Sequence, residues 1–293
     1  MSSSALRPRF FGTVRGEAIK VSRQLSFWLM IVAGLVVIGV ITLAVTSAQN
    51  IQDQLKTDPT AWAYGASDVF GTVFQVGSGI FLLIVGSRLI AMEYSSGTIR
   101  ILYARGTGRL QLLLAKLLLL AVIAVVALIA YVLVVGAVVS LLISSWTGSL
   151  DVVKHIASGF WSDMERWALV QGMSMGIAIL LAAAAAGLGR GLAFAIAASL
   201  AFYPADNFSV LLEALAARAT KHDHPWLDFS QYQLGANLNI LLNLLEPGHN
   251  ARPAFATPLQ PVDLTHALVV IGAFALVFAV IAVGRTVRPD VLE

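Results

Sequence analysis

The sequence contains no cysteine among its 293 residues. Disulfides, thiolate metal sites and cysteine nucleophiles are therefore excluded. Charge is also scarce, because Asp, Glu, Lys and Arg make up 12% of the chain, about half of their usual share in a soluble domain. The hydrophobic share is 58%, and a globule of this length cannot hide so much apolar surface from water. These proportions exclude a soluble enzyme, a disordered chain and a fibrous protein, and they place most of the chain in lipid.

Long stretches without charge predict six membrane-spanning helices, because an apolar helix needs about 20 residues to cross about 30 Å of hydrocarbon. The fifth predicted span is short because it stops at Pro204. The apolar run of the first span is longer than the core of a cleaved signal peptide, so we expect this span to be retained. The predicted spans are 26–48, 68–92, 110–145, 166–188, 191–204 and 265–285.

The distribution of Lys and Arg predicts the orientation. The two termini and alternate connections hold 13 of these cations and four acids, whereas the other connections hold 6 cations and 12 acids. Because positive segments stay in the cytoplasm, we expect a multi-pass protein of the cell membrane, such as a bacterial inner membrane, with both termini cytoplasmic. The net charge of +3 is then explained by the excess of Lys and Arg in the cytoplasmic segments. No basic patch interleaved with aromatic residues indicates nucleic acid as a partner.

Residues 8–25 are predicted to form an amphipathic helix in the cytoplasmic interface. Apolar residues recur there at three- and four-residue steps and so share one helical face: Phe11, Val14, Ala18, Val21 and Leu25. The cations lie on the other side, where anionic lipid headgroups attract them: Arg9, Arg15, Lys20 and Arg23. Two interpretations stay open, an anchor that orients the first span and a surface for a cytoplasmic partner.

The cytoplasmic loop 93–109 is the most informative stretch. Gly97 can end a helix in the left-handed conformation, and Thr98 can cap the next helix. Ile99, Leu102 and Tyr103 are apolar and helically spaced in a loop that is expected to meet water. This pattern favours a protein partner. The alternative is a solvated basic loop.

This loop resembles the signature loop of the permease subunits of type 2 ABC exporters. That family has a glutamate at the end of the second span, then Gly-Thr, a basic residue, an apolar turn, an arginine, and a lysine that opens the third span. The matching residues here are Glu93, Gly97, Thr98, Arg100, Ile101, Leu102, Arg109 and Lys116. The order of elements is also similar, with a basic interfacial helix, six spans and a broken fifth span.

The resemblance implies an all-α membrane protein with residues 1–293 in a single transmembrane domain. It implies that loop 93–109 contains a coupling helix seated on an ABC ATPase subunit. It further implies that the interfacial helix helps to form this seat, through Phe11, Val14, Arg15, Val21 and Arg23. Two permease copies, as a homodimer or a related heterodimer, would pair with two ATPase subunits in membrane lipid.

The ATPase is expected on another chain. The phosphate-binding motif G-x-x-x-x-G-K-[ST] does not occur in the sequence. No cofactor is therefore expected on this chain, and ATP and Mg²⁺ belong to the partner. Carboxylates are missing from the interiors of five predicted spans, and Asp68 and Glu93 lie at the two ends of the second. This scarcity argues against a proton-coupled carrier and an intramembrane protease.

The segment 205–263 is predicted to lie outside the cell. Its apolar stretches 208–212 and 238–245 are expected to be amphipathic helices, either re-entrant or part of a simple cap. His222, Asp223 and His224, with Asp228 nearby, could bind a metal, but alternating residues in a loop favour a solvated segment.

Two further patterns concern packing and cargo. Gly172 and Gly176 form a small-xxx-small motif that would allow close helix packing, as would the alanines of 182–186. By resemblance, the first, second and fifth spans face the dimer axis, so the path is mostly apolar and favours an amphipathic or lipid-like cargo, drug or peptide. ATP-driven export is thus the leading hypothesis. The alternatives are a non-transporting scaffold that docks a cytoplasmic partner and a lipid-active membrane enzyme.

Overall fold

The computed structural model describes residues 9–47, 49–98, 106, 108–220, 226–245 and 252–287. Within these ranges the chain forms helices and no strand. The α-helices are α1 (Phe10–Ser22), α2 (Leu25–Thr46), α3 (Gln49–Thr57), α4 (Pro59–Ser95), α5 (Arg109–Thr147), α6 (Ser158–Gly189), α7 (Leu192–Thr220), α8 (Trp226–Ser230), α9 (Leu234–Leu245) and α10 (Leu264–Val287), with a 3₁₀ turn at Asp151–His155.

Six of the described helices are long and apolar enough to cross a membrane, namely α2, α4, α5, α6, α7 and α10. The predicted all-α fold with six spans is therefore confirmed. Several helices extend beyond the predicted spans, and α4 begins at Pro59, where Asp58 caps it by accepting a hydrogen bond from the Ala61 N–H at 2.9 Å.

The bundle is arranged around α6, which packs against α4, α5, α7, α9 and α10. Its alanines at 182–186 are almost fully buried. In contrast, only 6% of the most apolar stretch of α2 is buried, so this helix lies at the outside of the bundle. Such an arrangement leaves broad apolar faces open, as expected of helices that contact lipid.

One end of the bundle gathers α1, the end of α4, the start of α5, the turn between α6 and α7, and the end of α10. Contacts across this end include the Arg285 Nε–H, which donates to the Gly187 carbonyl at 3.4 Å. It is called the basic end here because the cation-rich segments meet there. The opposite, acidic end holds α3, the 3₁₀ turn, α8 and α9.

The fifth span corrects the sequence-based expectation of a short element that stops at Pro204. In the structure, α7 continues through this proline. A proline inside a helix costs about 3 kcal/mol because one backbone hydrogen bond is lost. Contacts just beyond it offset this cost, since the Gly235 N–H donates to the Asp206 carboxylate and the Asn239 side chain donates to Asn207 Oδ1 at 3.1 Å.

The helices predicted for segment 205–263 are only partly as expected. Residues 208–212 are helical but belong to α7, and residues 238–245 belong to α9. In α9, Asn237 and Leu241 are fully buried, and the helix packs against α6, α7 and α10. It is thus an integral part of the bundle at the acidic end.

Gly172 and Gly176 do not provide the predicted close packing. A Cβ atom at either position would meet nothing within 4 Å outside its own helix. The close approach of α6 occurs instead at Gly86 of α4, where an added Cβ would lie 2.9 Å from the Ala182 Cβ. The alanine run, rather than the glycine pair, sets the distance between α4 and α6.

Candidate functional site: a buried charge cluster at the basic end

Four charged side chains from three helices meet at the basic end, and they are called the charge cluster here. Lys20 Nζ of α1 lies 2.6 Å from Glu17 Oε1 and 2.8 Å from Glu93 Oε1 of α4. Lys116 Nζ of α5 lies 2.7 Å from Glu93 Oε2 and 3.7 Å from Glu17 Oε2. The cluster thus joins α1, α4 and α5 through two positive and two negative side chains.

Most of the charge cluster is removed from solvent. Glu17, Glu93 and Lys116 are 3%, 7% and 2% exposed, whereas the Lys20 side chain is 48% exposed. Lys116 also donates to the carbonyl of Leu89. Burying an unpaired charge is costly, so the equal number of cations and anions is what makes this packing possible.

The surrounding sequence explains how the charges come to be buried. Lys116 lies in the apolar stripe of α5, whose members recur at helical spacing: Leu112, Leu113, Leu119 and Leu120, all buried. Val21 of α1 is buried, and Val14 and Ala18 pack against the same core. Glu17 lies between them on this face of α1, so the packing of α1 carries its carboxylate to Lys116.

Lys20 belongs to α1, which lies outside the membrane-spanning helices. Burial by itself lowers its pKa, but the hydrogen bonds to Glu17 and Glu93 and the charges of these carboxylates more than offset that effect. The pKa of Lys20 is therefore raised above its ordinary value of about 10.4. The ammonium form stabilises the fold.

This shift predicts how stability depends on pH. A raised folded-state pKa contributes stability that is fully present below the ordinary pKa and is lost as the pH rises through the folded-state pKa. We expect the melting temperature of wild type to exceed that of Lys20→Met by a constant margin between about pH 7 and 9, and this margin to shrink above about pH 10.5. Thermal melts of both proteins in detergent across this range measure it. A margin that is unchanged at pH 11.5 would contradict the assignment.

The segment after α4 is partly described. Gly97 has a φ of +67°, so the predicted left-handed end of this helix is confirmed. Ser96, Gly97 and Thr98 are exposed, and the Ser96 and Thr98 hydroxyls lie 2.9 Å apart. The predicted coupling residues Arg100, Ile101 and Leu102 lie outside the described residues, as do Ile99 and Tyr103.

Two other sets of predicted site residues differ in their surroundings. Arg109 begins α5, and its Nη1 donates to the Val287 carbonyl at the end of α10, at 3.4 Å. On α1, Phe11 is 76% exposed instead of sharing the packed face with Val14 and Val21. Arg15 and Arg23 are exposed at the same end. The apolar face of α1 is therefore packed against the bundle at Val14 and Val21 but exposed at its start, at Phe11.

The sequence analysis did not foresee the ion pairs of Lys20 and overlooked Glu17. Lys20 was expected among the cations that meet lipid headgroups; its side chain is 48% exposed, and it also bridges the carboxylates of Glu17 and Glu93. Glu17 attracted no prediction, although it falls three residues after Val14 and four before Val21. An acid inside an otherwise apolar helical stripe was the available signal, and it indicates a cation on the facing helix.

Contacts between α4 and α7 continue from the charge cluster towards the acidic end. Ser95 Oγ accepts a hydrogen bond from the Leu192 N–H at 2.9 Å and so caps the start of α7. Further along, Ser87 donates to the Ala195 carbonyl and contacts Ser199 Oγ, both at 3.3 Å. Ser87 and Ser199 are fully buried. These contacts join the last part of α4 to the first part of α7.

The same pair of helices is joined at the acidic end. The Tyr203 hydroxyl of α7 lies 3.4 Å from the Gln75 carbonyl of α4, and Gln75 Nε2 donates to Asn239 Oδ1 of α9 at 2.9 Å. Gln75 and Ser95 are about 30 Å apart along α4 at 1.5 Å per residue, which is the thickness of the hydrocarbon core. The polar contacts thus connect both ends of the membrane-spanning part.

The charge cluster leaves little space for a ligand. The cavity beside it, lined by Glu93, Lys116, Tyr94 and Thr286 among others, has a volume of about 20 Å³. That volume admits a single water molecule, whereas ligand pockets measure about 300–1,000 Å³. No group of three or more His, Cys, Asp or Glu side chains suited to a metal occurs in the described ranges, and the candidate metal ligands His222 and His224 lie outside them.

Comparison with known proteins identifies the family. A family model described as ABC-2 family transporter protein matches residues 13–205, about two thirds of the chain. The match begins within α1 and ends within α7, so it includes all four members of the charge cluster. No curated protein matches the chain.

Proposed function

The chain belongs to the ABC-2 family of transporter proteins, and we propose that this membrane permease is driven by ATP hydrolysis on separate ABC ATPase subunits and exports an amphipathic substrate. The charge cluster is the observation that supports coupling to an ATPase. It joins α1, which lies outside the bundle at the basic end, to the end of α4 and the start of α5. The family is one of membrane transporters, which supports a transport subunit rather than an enzyme.

The proposal places the basic end in the cytoplasm of the cell membrane. The excess of Lys and Arg in the segments that meet there supports this orientation. Ser96, Gly97 and Thr98 lie exposed at this end, and so do Arg15 and Arg23 of α1. We propose that the ATPase contacts these residues, and we assign Arg100, Ile101 and Leu102 to the same contact.

The coupling step follows from the contacts of α4. When the ATPase displaces the segment after α4, the charge cluster keeps α1 and the start of α5 attached to that helix end. The contacts of Ser95 and Ser87 transmit the displacement to α7. The hydrogen bond from Gln75 to Asn239 carries it to α9 at the outer side. The assembly contains two permease copies and two ATPase subunits, with ATP and Mg²⁺ bound to the latter.

Co-purification tests the partner. We expect an ABC ATPase, encoded beside this chain, to remain bound to the tagged permease in detergent, and we expect ATP-dependent movement of a fluorescent phospholipid in proteoliposomes that contain both. A different cytoplasmic protein in place of the ATPase would favour the scaffold. Lipid turnover by the permease alone would favour the enzyme. Either result would overturn the proposal.

Glu93→Gln tests the coupling. The substitution keeps the size of the side chain but leaves Lys20 and Lys116 with one carboxylate between them, so the end of α4 loses its fixed position. We expect the complex to assemble and to hydrolyse ATP, while lipid movement per ATP falls at least about tenfold, the equivalent of 1.4 kcal/mol. Asp151→Asn is the matched control, because Asp151 is an exposed acid paired with Lys154 at the other end. Equal transport in both variants would contradict the role of Glu93.

A further inference from the structure

Arg88 of α4 is a charged residue that has no partner in the described part of the chain. Its side chain is half-buried, and its Nε is buried without a hydrogen-bond partner. The described acids at this end, Glu17 and Glu93, are already paired with Lys20 and Lys116. The positive charge of Arg88 is therefore not compensated within these ranges.

The helical face around Arg88 is apolar and open. Ile80 and Ile84 lie two turns and one turn before it, and Met92 lies one turn after it. Ile80 is 40% exposed and Met92 is 42% exposed. A molecule that lies against this face would contact aliphatic side chains along most of its length and one guanidinium near the basic end.

Arg88 lies inside the membrane-spanning part of α4, where a charge without an ion-pair partner is unusual. It precedes Glu93 by five residues and so lies about 7 Å further into the span. Side chains on a helix lean towards its N-terminus, which for α4 is the acidic end. The stem of Arg88 therefore starts away from the headgroups of its own leaflet. An unpaired cation at such a position is costly and usually serves a ligand or a transport path.

We propose that Arg88 binds the anionic head, a phosphate or a carboxylate, of an amphipathic molecule whose acyl or alkyl chain lies along Ile80 and Ile84. The planar guanidinium donates two parallel hydrogen bonds to such groups. Because its Nε is buried, recognition through the two Nη atoms is favoured. This inference rests on the proposed function where it identifies the cargo as an anionic amphipath. The same head chemistry could belong to a membrane phospholipid.

The test measures binding to the purified permease alone, in nanodiscs of phosphatidylcholine, with dodecyl phosphate as the probe. We expect dodecyl phosphate to raise the melting temperature of wild type, and dodecyltrimethylammonium, which has the same chain and the opposite charge, to have no such effect. Arg88→Gln should weaken the affinity for dodecyl phosphate by about 10- to 100-fold, the range of hydrogen bonds to charged groups. Arg88→Lys keeps the positive charge but cannot donate two parallel hydrogen bonds, so it should weaken the affinity less.

Arg9→Gln is the matched control, because Arg9 is an exposed arginine at the same end, and we expect it to bind like wild type. If Arg88→Gln does not fold, Arg88→Lys against Arg9→Lys gives the same comparison. Equal affinity in wild type and both Arg88 variants would overturn the proposal, as would equal binding of the cationic probe. If phosphatidylglycerol displaces dodecyl phosphate, the natural occupant is a membrane lipid. If phosphatidylglycerol does not displace it, the natural occupant is the cargo. Either result supports an anion-binding site at Arg88. Since no ATPase is needed, failure of the proposed function leaves this measurement intact.

Discussion

Replacement of Lys116 by methionine is expected to lower the free energy of unfolding by about 3 kcal/mol. Methionine nearly matches the aliphatic stem of lysine, so the loss comes from the charge and not from a cavity. Glu93 and Glu17 then share only Lys20, and one negative charge remains uncompensated where the side chains are 9% and 4% exposed. Breaking a buried ion pair costs about 3–5 kcal/mol, and we take the lower limit because Lys20 neutralises one carboxylate.

Thermal and denaturant unfolding of the purified permease in detergent measures this effect. Lys154→Met is the matched control, since Lys154 forms an exposed pair with Asp151 at 2.6 Å, and solvent screens such a pair so that it contributes little to stability. Combining Lys116→Met with Glu93→Gln should restore part of the stability, because the unpaired charge is removed with its partner. A Lys116→Met protein as stable as the Lys154→Met protein would show that the charge cluster is hydrated rather than buried.

Much of the fold could be predicted from the sequence because lipid imposes a simple rule. A span must be apolar over about 20 residues and must satisfy its own backbone hydrogen bonds. The left-handed Gly97 was also predictable, because the requirement acts on a single residue. In each case the sequence signal and the physical constraint involve the same short segment.

The predictions that failed depend on contacts between distant segments. Pro204 does not end α7, because Asp206 and Asn207 bind α9, which lies about 30 residues later in the chain. The pairing of Lys20 with Glu93 was not predicted, because Glu93 is 73 residues away in sequence although adjacent in space. Helical periodicity shows which residues share a face, but it does not show what that face meets.

Gly86→Ala is expected to destabilise the bundle by about 1–3 kcal/mol, the usual cost of overpacking a core. The added methyl group would lie 2.9 Å from the Ala182 Cβ and 3.5 Å from Leu120 Cδ1, and both neighbours are fully buried. Alanine favours a helix over glycine by about 1 kcal/mol, so a net loss means that the steric cost exceeds this gain. Gly77→Ala is the matched control on the same helix, because its methyl group would meet nothing within 4 Å.

The double variant Gly86→Ala with Ala182→Gly separates sterics from helix propensity. It moves the methyl group from α6 to α4 and removes the close Cβ contact, while the number of glycines in the two helices stays the same. We therefore expect its stability, measured by thermal melts in detergent, to exceed that of Gly86→Ala by more than the two single changes would predict if they were additive. The interpretation would be contradicted if the effects of the two single changes on stability were strictly additive, or if Gly86→Ala were more stable than wild type. Either result would mean that α4 and α6 are too far apart at Gly86 for the two methyl groups to clash. Glu93 of the charge cluster lies seven residues, about two turns, after Gly86 on α4. Loosening the contact at Gly86 should therefore also weaken the coupling of the basic end to α7.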